Sequence, residues 1–137
     1  MGKALGIDYG TKRTGIAITD AMQIIASGLT TVATHTLDEF ISNLLQKEAI
    51  ECFVVGDPKN LDGTATDSTS HVNGFVKRIK QKYPDIPIYQ IDERFTSKIA
   101  KQSILASGVK KKVRQNKALV DQVSATIILQ NYLDYKV

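Results

Sequence analysis

Three short runs with many apolar and β-branched residues stand near the N-terminus, at residues 3–9, 15–19 and 24–32. Short runs of this kind, bounded by turn signals, are typical of strands. Only short turn signals, Gly10-Thr11 and Asp20-Ala21, separate the runs. Because connections this short join neighbouring strands, the pattern predicts an antiparallel meander of three strands.

Beyond the meander, helical and strand-like spacings follow one another. Thr36 and Glu39 form a capping-box pattern, which predicts a first helix that runs to about Ala49. A strand is predicted at 52–55, a helix over 72–83 that Pro84 stops, and a strand at 86–91. A third helix is predicted from about residue 97 to Gly108, and a last helix over 116–134.

This order of elements predicts an α/β fold in one domain over residues 1–137. We expect a mixed five-stranded sheet, in which crossover helices add parallel strands to the meander and helices cover both faces. A chain of 137 residues with 42% apolar content fits one hydrophobic core. Ligands in such open sheets bind beyond the carboxyl ends of strands, where Asp8, Asp57 and Asp92-Glu93 stand.

Composition excludes several classes of protein. No apolar stretch reaches the roughly 20 residues that a membrane-spanning helix needs, and no signal peptide is visible, so we expect a cytoplasmic protein without a membrane partner. Cys52 is the one cysteine, which excludes an intramolecular disulfide and a Cys-based zinc site. Its apolar neighbours predict a buried strand residue rather than a catalytic thiol.

Charge is distributed unevenly along the chain. The net charge is +4, but the segment 94–120 has eight basic residues and no Asp or Glu. Such a segment can bind a polyanion, although a solvated lysine-rich face is the alternative. Its basic residues are Arg94, Lys98, Lys101, Lys110, Lys111, Lys112, Arg114 and Lys117.

Acidic residues stand at unexpected places in the predicted elements. Asp121 falls on the stripe of the last helix that also has Ala118, Ala125, Ile128 and Tyr132, and this stripe faces inward. A carboxylate there needs a partner, either a cation such as Lys117 or an arginine, or a metal ion. If Asp121 converges with Asp8 and with Asp92 or Glu93, oxygen ligands without His or Cys favour Mg²⁺ or Mn²⁺.

Four motifs together resemble a known family. They are GIDYGTKRTG at 6–15, VGDPKNLDGT at 55–64, DERFTS at 92–97, and Asp121 within an Ala-containing helix. In this order they resemble the YqgF family, also called the RuvX or Holliday junction resolvase family, which is described as a pre-16S rRNA nuclease family. The resemblance covers essentially the whole chain. It implies an RNase H-like fold related to the RuvC resolvase and metal-dependent cleavage of structured nucleic acid.

The resemblance also implies roles for individual residues. Asp8, Glu93 and Asp121 match the family's metal-binding acids, so the resemblance favours Glu93 over Asp92. Thr11, Lys12 and Arg13 match its loop after the first strand, and Gly56, Pro58 and Asn60 match its substrate-facing loop. Asp57 departs from the pattern, because the family usually has an apolar residue there. We expect Arg94, Lys110, Lys111, Lys112, Arg114 and Lys117 to bind backbone phosphates.

These residues together with the resemblance imply a two-metal-ion endonuclease in the cytoplasm. It would process the 5′ end of pre-16S rRNA, acting on structured RNA or branched DNA as a monomer or homodimer. One alternative is a Holliday junction resolvase, and another is a non-catalytic RNA-binding factor in ribosome assembly. The third is an ATP-binding protein of the actin-like type, since the motif around Asp8 also resembles the phosphate-binding hairpin of those ATPases.

Overall fold

The structure is a computed structural model that describes residues 2–57, 67–92 and 117–136. Its five strands are β1 (Lys3–Asp8), β2 (Arg13–Thr19), β3 (Ala26–Ala33), β4 (Ile50–Asp57) and β5 (Ile88–Asp92). Its described helices are α1 (Leu37–Lys47), α2 (Asp67–Lys82) and α3 (Lys117–Lys136), and one 3₁₀ turn, Thr34–Thr36, precedes α1. The third helix predicted to end at Gly108, and the basic residues that follow it, lie outside the described residues.

The five strands form a single mixed sheet in the order β3-β2-β1-β4-β5. Strands β1, β2 and β3 pair antiparallel, whereas β4 pairs parallel to β1 and β5 pairs parallel to β4. The predicted meander and its extension by crossovers are therefore confirmed.

Alternate residues of the strands face two separate cores. Leu5, Ile7, Phe53 and Val55 pack with α1 and α2, a layer that includes Phe75. Ala4, Ala17, Cys52 and Val54 pack with α3 through Ala125, Ile128 and Leu129. The side of the sheet covered by α3 is called the α3 face below, and the other side is called the α1/α2 face.

The third strand begins two residues later than predicted. Ile24 and Ile25 belong to the preceding turn, because their backbone N–H groups both donate to Asp20 Oδ1, at 2.8 and 2.9 Å. Met22 donates its N–H to the other carboxylate oxygen of Asp20. The apolar pair therefore stands in a turn held by one carboxylate and is exposed to solvent.

The capping box predicted for α1 is wrong, because the Thr36 side chain does not make the capping hydrogen bond to the first turn of the helix. Thr36 stands at the N-cap position, yet its hydroxyl donates back to the carbonyl oxygen of Ala33 at 2.7 Å. The reason is the 3₁₀ turn that precedes α1, since it holds Thr36 at φ −102° and ψ 1°, outside the extended conformation that a capping side chain uses.

Cys52 is a buried strand residue, as predicted, with 2% of its surface exposed. Its thiol donates to the hydroxyl of Tyr132 on α3 at 3.7 Å. Burial raises the pKa of the Tyr132 hydroxyl above its ordinary value, with this contact as a second cause. Among the described residues, no helix is long and apolar enough to cross a membrane.

Candidate active site

Three parallel strands end at the same edge of the sheet. Ile7 on β1 is in register with Val55 on β4, and Gly56 on β4 is in register with Ile91 on β5. The carboxyl ends of these strands, where ligands bind in open α/β sheets, therefore meet at one place. This edge, the one that contains Asp8, Asp57 and Asp92, is called the carboxyl edge below.

Asp8 is the last residue of β1 and lies on the α3 face. Its Cα is paired with that of Gly15 on β2, and Gly6, two residues earlier, is paired with Ala17, which packs under α3. Since side chains alternate along a strand, Asp8 points to the same side as Ala17. The carboxylate is partly buried there.

Helix α3 brings Asp121 to the same position. A Cβ atom at Gly15 would overlap the backbone carbonyl oxygen of Asp121, so this turn of α3 lies directly on β2. Helix α3 also approaches β1 closely, since a Cβ atom at Gly6 would lie 2.8 Å from Leu129 Cβ. Because Gly15 is the pairing partner of Asp8, the backbone of Asp121 lies over the strand position next to Asp8 at the carboxyl edge.

Asp121 has a cation as its partner. The Nε–H of Arg13, the first residue of β2, donates to Asp121 Oδ2 at 2.7 Å. The side chain of Asp121 is 23% exposed and that of Arg13 is 41% exposed, so water reaches both. An arginine is among the partners that the sequence left open for Asp121, and the side chain of Lys117 lies outside the described side chains.

The two carboxylates fit a hard divalent cation. Asp8 and Asp121 supply oxygen atoms only, which are the ligands that Mg²⁺ and Mn²⁺ prefer, while Arg13 is the cation that pairs with Asp121. Among the described residues, no three of His, Cys, Asp and Glu are gathered closely enough to hold a metal ion. Glu93, the third acid that the sequence suggests, lies outside the described residues.

Asp57 and Asp92 stand at the carboxyl edge but on the opposite side. Their Cα atoms are paired with each other, and Asp57 follows Val55 by two residues on β4. Val55 packs with α1 and α2, so strand alternation places Asp57 and Asp92 on the α1/α2 face. The unusual acid at position 57 therefore does not stand beside Asp8 and Asp121.

The loop between β1 and β2 contains Thr11 and Lys12, both of which are exposed. Thr34 holds this loop in place, since its hydroxyl donates to the carbonyl oxygen of Gly10 at 2.6 Å and its N–H donates to the carbonyl oxygen of Lys12 at 2.9 Å. Sequence reasoning missed Thr34, because a threonine after a strand has no pattern that distinguishes this role from an ordinary polar position.

The structure thus brings together Asp8, Arg13 and Asp121, with Thr11, Lys12 and the buried Gly56 at the same edge. It says nothing about several other predicted residues. Pro58, Asn60, Glu93, Arg94, Lys110, Lys111, Lys112 and Arg114 lie outside the described residues.

Comparison with known proteins gives close relatives over the full length. The family model described as RuvX, Holliday junction resolvase, matches residues 2–135. A Flavobacterium johnsoniae protein named "Putative pre-16S rRNA nuclease" is 54% identical over 136 residues, which is 99% of each chain. A protein of the same name from Bacteroides fragilis is 51% identical, again with 99% of each chain covered.

Solved structures share the fold at low sequence identity. RuvC of T. thermophilus, in complex with a Holliday junction substrate, matches with a TM-score of 0.58 at 16% identity over 98% of this chain and 96% of that one. The fowlpox virus resolvase, in complex with Holliday junction DNA, also has a TM-score of 0.58, at 11% identity over 98% and 99% of the two chains. The five-stranded sheet and its helices therefore have the RNase H-like architecture of RuvC-type resolvases.

Proposed function

The chain belongs to the RuvX family, and on this premise we propose that it is a nuclease that hydrolyses phosphodiester bonds in the 5′ region of pre-16S rRNA. The observation that carries the proposal is the position of two acidic residues at the carboxyl edge. Asp8 ends β1 on the α3 face, and the backbone of Asp121 lies over Gly15, the residue paired with Asp8. A ribosomal RNA precursor as substrate would place its action in the cytoplasm.

Asp8, Asp121 and Glu93 are the residues proposed to hold one or two Mg²⁺ or Mn²⁺ ions. Glu93 is preferred to Asp92 because Asp92 lies on the α1/α2 face, away from the other two carboxylates. Ions bound by such carboxylates supply two kinds of help, activation of the attacking water and neutralisation of charge on the phosphate.

Other residues of the chain are proposed to bind and orient the substrate. Thr11 and Lys12 lie in the loop between β1 and β2, and Arg13 begins β2, so their hydroxyl and cationic groups can contact a scissile phosphate near Asp8. Gly56, Pro58 and Asn60 follow β4 at the same edge.

The basic segment is proposed to bind the phosphates that flank the cleaved bond. The described elements on either side of this segment are β5, which ends at Asp92 at the carboxyl edge, and α3, which begins at Lys117, four residues before Asp121. Its residues Arg94, Lys110, Lys111, Lys112, Arg114 and Lys117 contact phosphates without reading sequence in this proposal.

A second candidate function is the resolution of Holliday junctions. The fold of RuvC, solved with a junction substrate, favours it, and the same carboxylates would serve. Resolution requires symmetric cuts in two strands, so this function would require a homodimer with two sites, whereas trimming of a ribosomal RNA precursor requires only a monomer.

Cleavage assays with three labelled substrates test these proposals: a pre-16S rRNA 5′ leader, a four-way DNA junction and a linear DNA duplex. Each is incubated with Mn²⁺ or with EDTA. We expect Mn²⁺-dependent cleavage of the RNA leader, and a loss of about a hundredfold or more in Asp8→Asn, because a ligand of the metal is removed.

Asp92→Asn is the matched control, since it removes an equal charge at the same edge but on the α1/α2 face. It should retain activity within about tenfold of the unchanged protein, a smaller loss than the removal of a metal ligand causes. Equal losses in both variants would contradict the assignment of faces. Preferential cutting of the junction would favour the resolvase, and tight RNA binding without cleavage would favour a non-catalytic assembly factor.

A further inference from the structure

The cationic partner of Asp121 is a side chain of the same protein, Arg13. Arg13 stands at the first position of β2 and reaches the α3 face, where its Nε–H bonds Asp121 Oδ2 at 2.7 Å. The two residues are 108 positions apart in sequence. The ion pair therefore joins the start of β2 to α3 at the point where Asp8 also stands.

We propose that Arg13 and a divalent metal ion are alternative partners of Asp121. In the metal-free protein the guanidinium neutralises Asp121, and binding of the metal displaces it. This inference rests on the proposed function, because it assumes that Asp121 is a metal ligand.

Two arguments indicate that Arg13 and a divalent metal ion do not bind Asp121 at the same time. Oδ2, the atom that Arg13 bonds, is one of only two oxygen atoms through which Asp121 can bind a metal. A guanidinium held at hydrogen-bond distance of that oxygen would also stand within a few ångströms of a divalent cation, and like charges at such a short distance repel even where water screens them.

The exposure of the pair makes the exchange feasible. With 41% of the Arg13 side chain and 23% of the Asp121 side chain exposed, the ion pair is of the weak, solvent-screened kind. A divalent ion can displace it, and the competition lowers the apparent metal affinity by about two- to fivefold. Asp121 is thereby neutralised before the metal arrives, which limits its repulsion with Asp8.

The displaced guanidinium can then bind the substrate. Arg13 follows Lys12 in the exposed loop at the carboxyl edge, so an arginine released from Asp121 is next to the place where the substrate phosphate is proposed to lie. Arg13 is then a positioning residue for the metal-free carboxylate and a phosphate-binding residue after metal binding.

Nuclear magnetic resonance of the arginine Nε–H groups tests the displacement directly. The hydrogen bond to Asp121 should give Arg13 a distinct Nε–H resonance, which the Arg13→Lys variant identifies by its loss. We expect titration with Mg²⁺ to shift or broaden this resonance. The Nε–H of Arg78 bonds Asp38 on the α1/α2 face at 2.9 Å and should stay unchanged in the same spectra.

Calorimetric titration with Mn²⁺, without nucleic acid, gives the second readout. We expect Arg13→Gln to bind Mn²⁺ about two- to fivefold more tightly than the unchanged protein. Arg78→Gln, the matched removal of one positive charge, should show no change. Arg13→Lys, which keeps the charge, provides a test if the Gln variant folds poorly, and its affinity should lie between the two.

Two results would overturn the inference. The first would leave the proposed metal site intact, and the second would contradict it as well. Mg²⁺ binding that requires Asp121 but leaves the Arg13 resonance unchanged would show coexistence, and the proposed metal site would stand. Identical Mn²⁺ binding by the unchanged protein and by Asp121→Asn would show that Asp121 does not bind the metal. That result would contradict both the inference and the proposed catalytic site.

Discussion

Asp20 shows how much one exposed side chain can organise. Its two carboxylate oxygens accept the backbone N–H groups of Met22, Ile24 and Ile25, and Gln23 between them has a left-handed φ of 55°. These donors, Ile25 first and Ile24 next, hold the pKa of the Asp20 carboxyl below its ordinary value. The carboxylate form therefore stabilises the turn between β2 and β3.

The sign of the shift fixes a pH dependence for stability. Because the pKa of Asp20 is lower in the folded state, its contribution is present above the ordinary aspartate pKa and is lost as the pH falls through the folded value. We expect Asp20→Asn to have a lower Tm than the unchanged protein at pH 7, and the difference to shrink at a pH below the ordinary aspartate range. Thermal scans from pH 7 to pH 2 measure it, with Asp85→Asn as the control for charge removal. A Tm difference that is independent of pH would contradict this account.

At the scale of elements, the contact between α3 and β2 determines where Asp121 stands. The helix can lie against the strand because position 15 has no side chain, and the backbone carbonyl of Asp121 fills that space. A backbone atom cannot rotate away as a side chain can, so any Cβ there must displace the helix itself.

Gly15→Ala should therefore destabilise the fold and disable the site. We expect the free energy of unfolding to fall by about 1–3 kcal/mol, as in other overpacked contacts. A displacement of Asp121 by about 1 Å should also lower cleavage by about a hundredfold.

Urea unfolding measures the first effect, and Gly74→Ala on α2 is its matched control. A Cβ atom at Gly74 meets nothing within 4 Å, so alanine there should raise the stability by about 0.5–1 kcal/mol through its higher helix propensity. If Gly15→Ala unfolds at the same urea concentration as the unchanged protein, the contact with α3 is not as close as described.

At the scale of the whole molecule, charge is separated along the chain. The segment 94–120 has eight basic residues and no acid, while the rest of the chain is net negative. The described strand and helix that flank it, β5 and α3, both meet the carboxyl edge. Positive charge and the carboxylates are therefore proposed to act on the same nucleic acid, the first on flanking phosphates and the second at the cleaved bond.

This proposal predicts a salt dependence that a triple substitution should reduce. Replacing Lys110, Lys111 and Lys112 with Gln should lower the slope of log Kobs against log salt by about 2–3 units, since each phosphate contact contributes about 0.7–0.9. Fluorescence anisotropy of a labelled RNA leader at several salt concentrations measures the slope. The control replaces Lys77, Lys80 and Lys82 on α2 with Gln, which removes the same charge elsewhere. Equal changes in the two triple variants would show that only net charge matters.

The amino-acid sequence by itself determined the order of the elements that the structure describes, while the helix predicted to end at Gly108 stays a prediction. The short apolar run in residues 3–9 and the helical spacing in 72–83 are local properties, and short connections leave few topologies, so the mixed sheet was predictable. The inward stripe of α3 also identified Asp121 as a carboxylate that needs a partner, and the single-domain organisation stays a prediction.

Only the tertiary structure decided which groups meet. Arg13 and Asp121 are separated by 108 positions, so no local pattern could select this arginine over another cation. The same holds for Gly15 under the carbonyl of Asp121, and for Thr34 on the loop before β2. The faces of Asp57 and Asp92 depend on register, because a shift of one residue moves a side chain to the other side of a sheet. The spacing of apolar residues is a property of residues that are close in sequence, whereas contacts across a sheet exist only after the chain has folded.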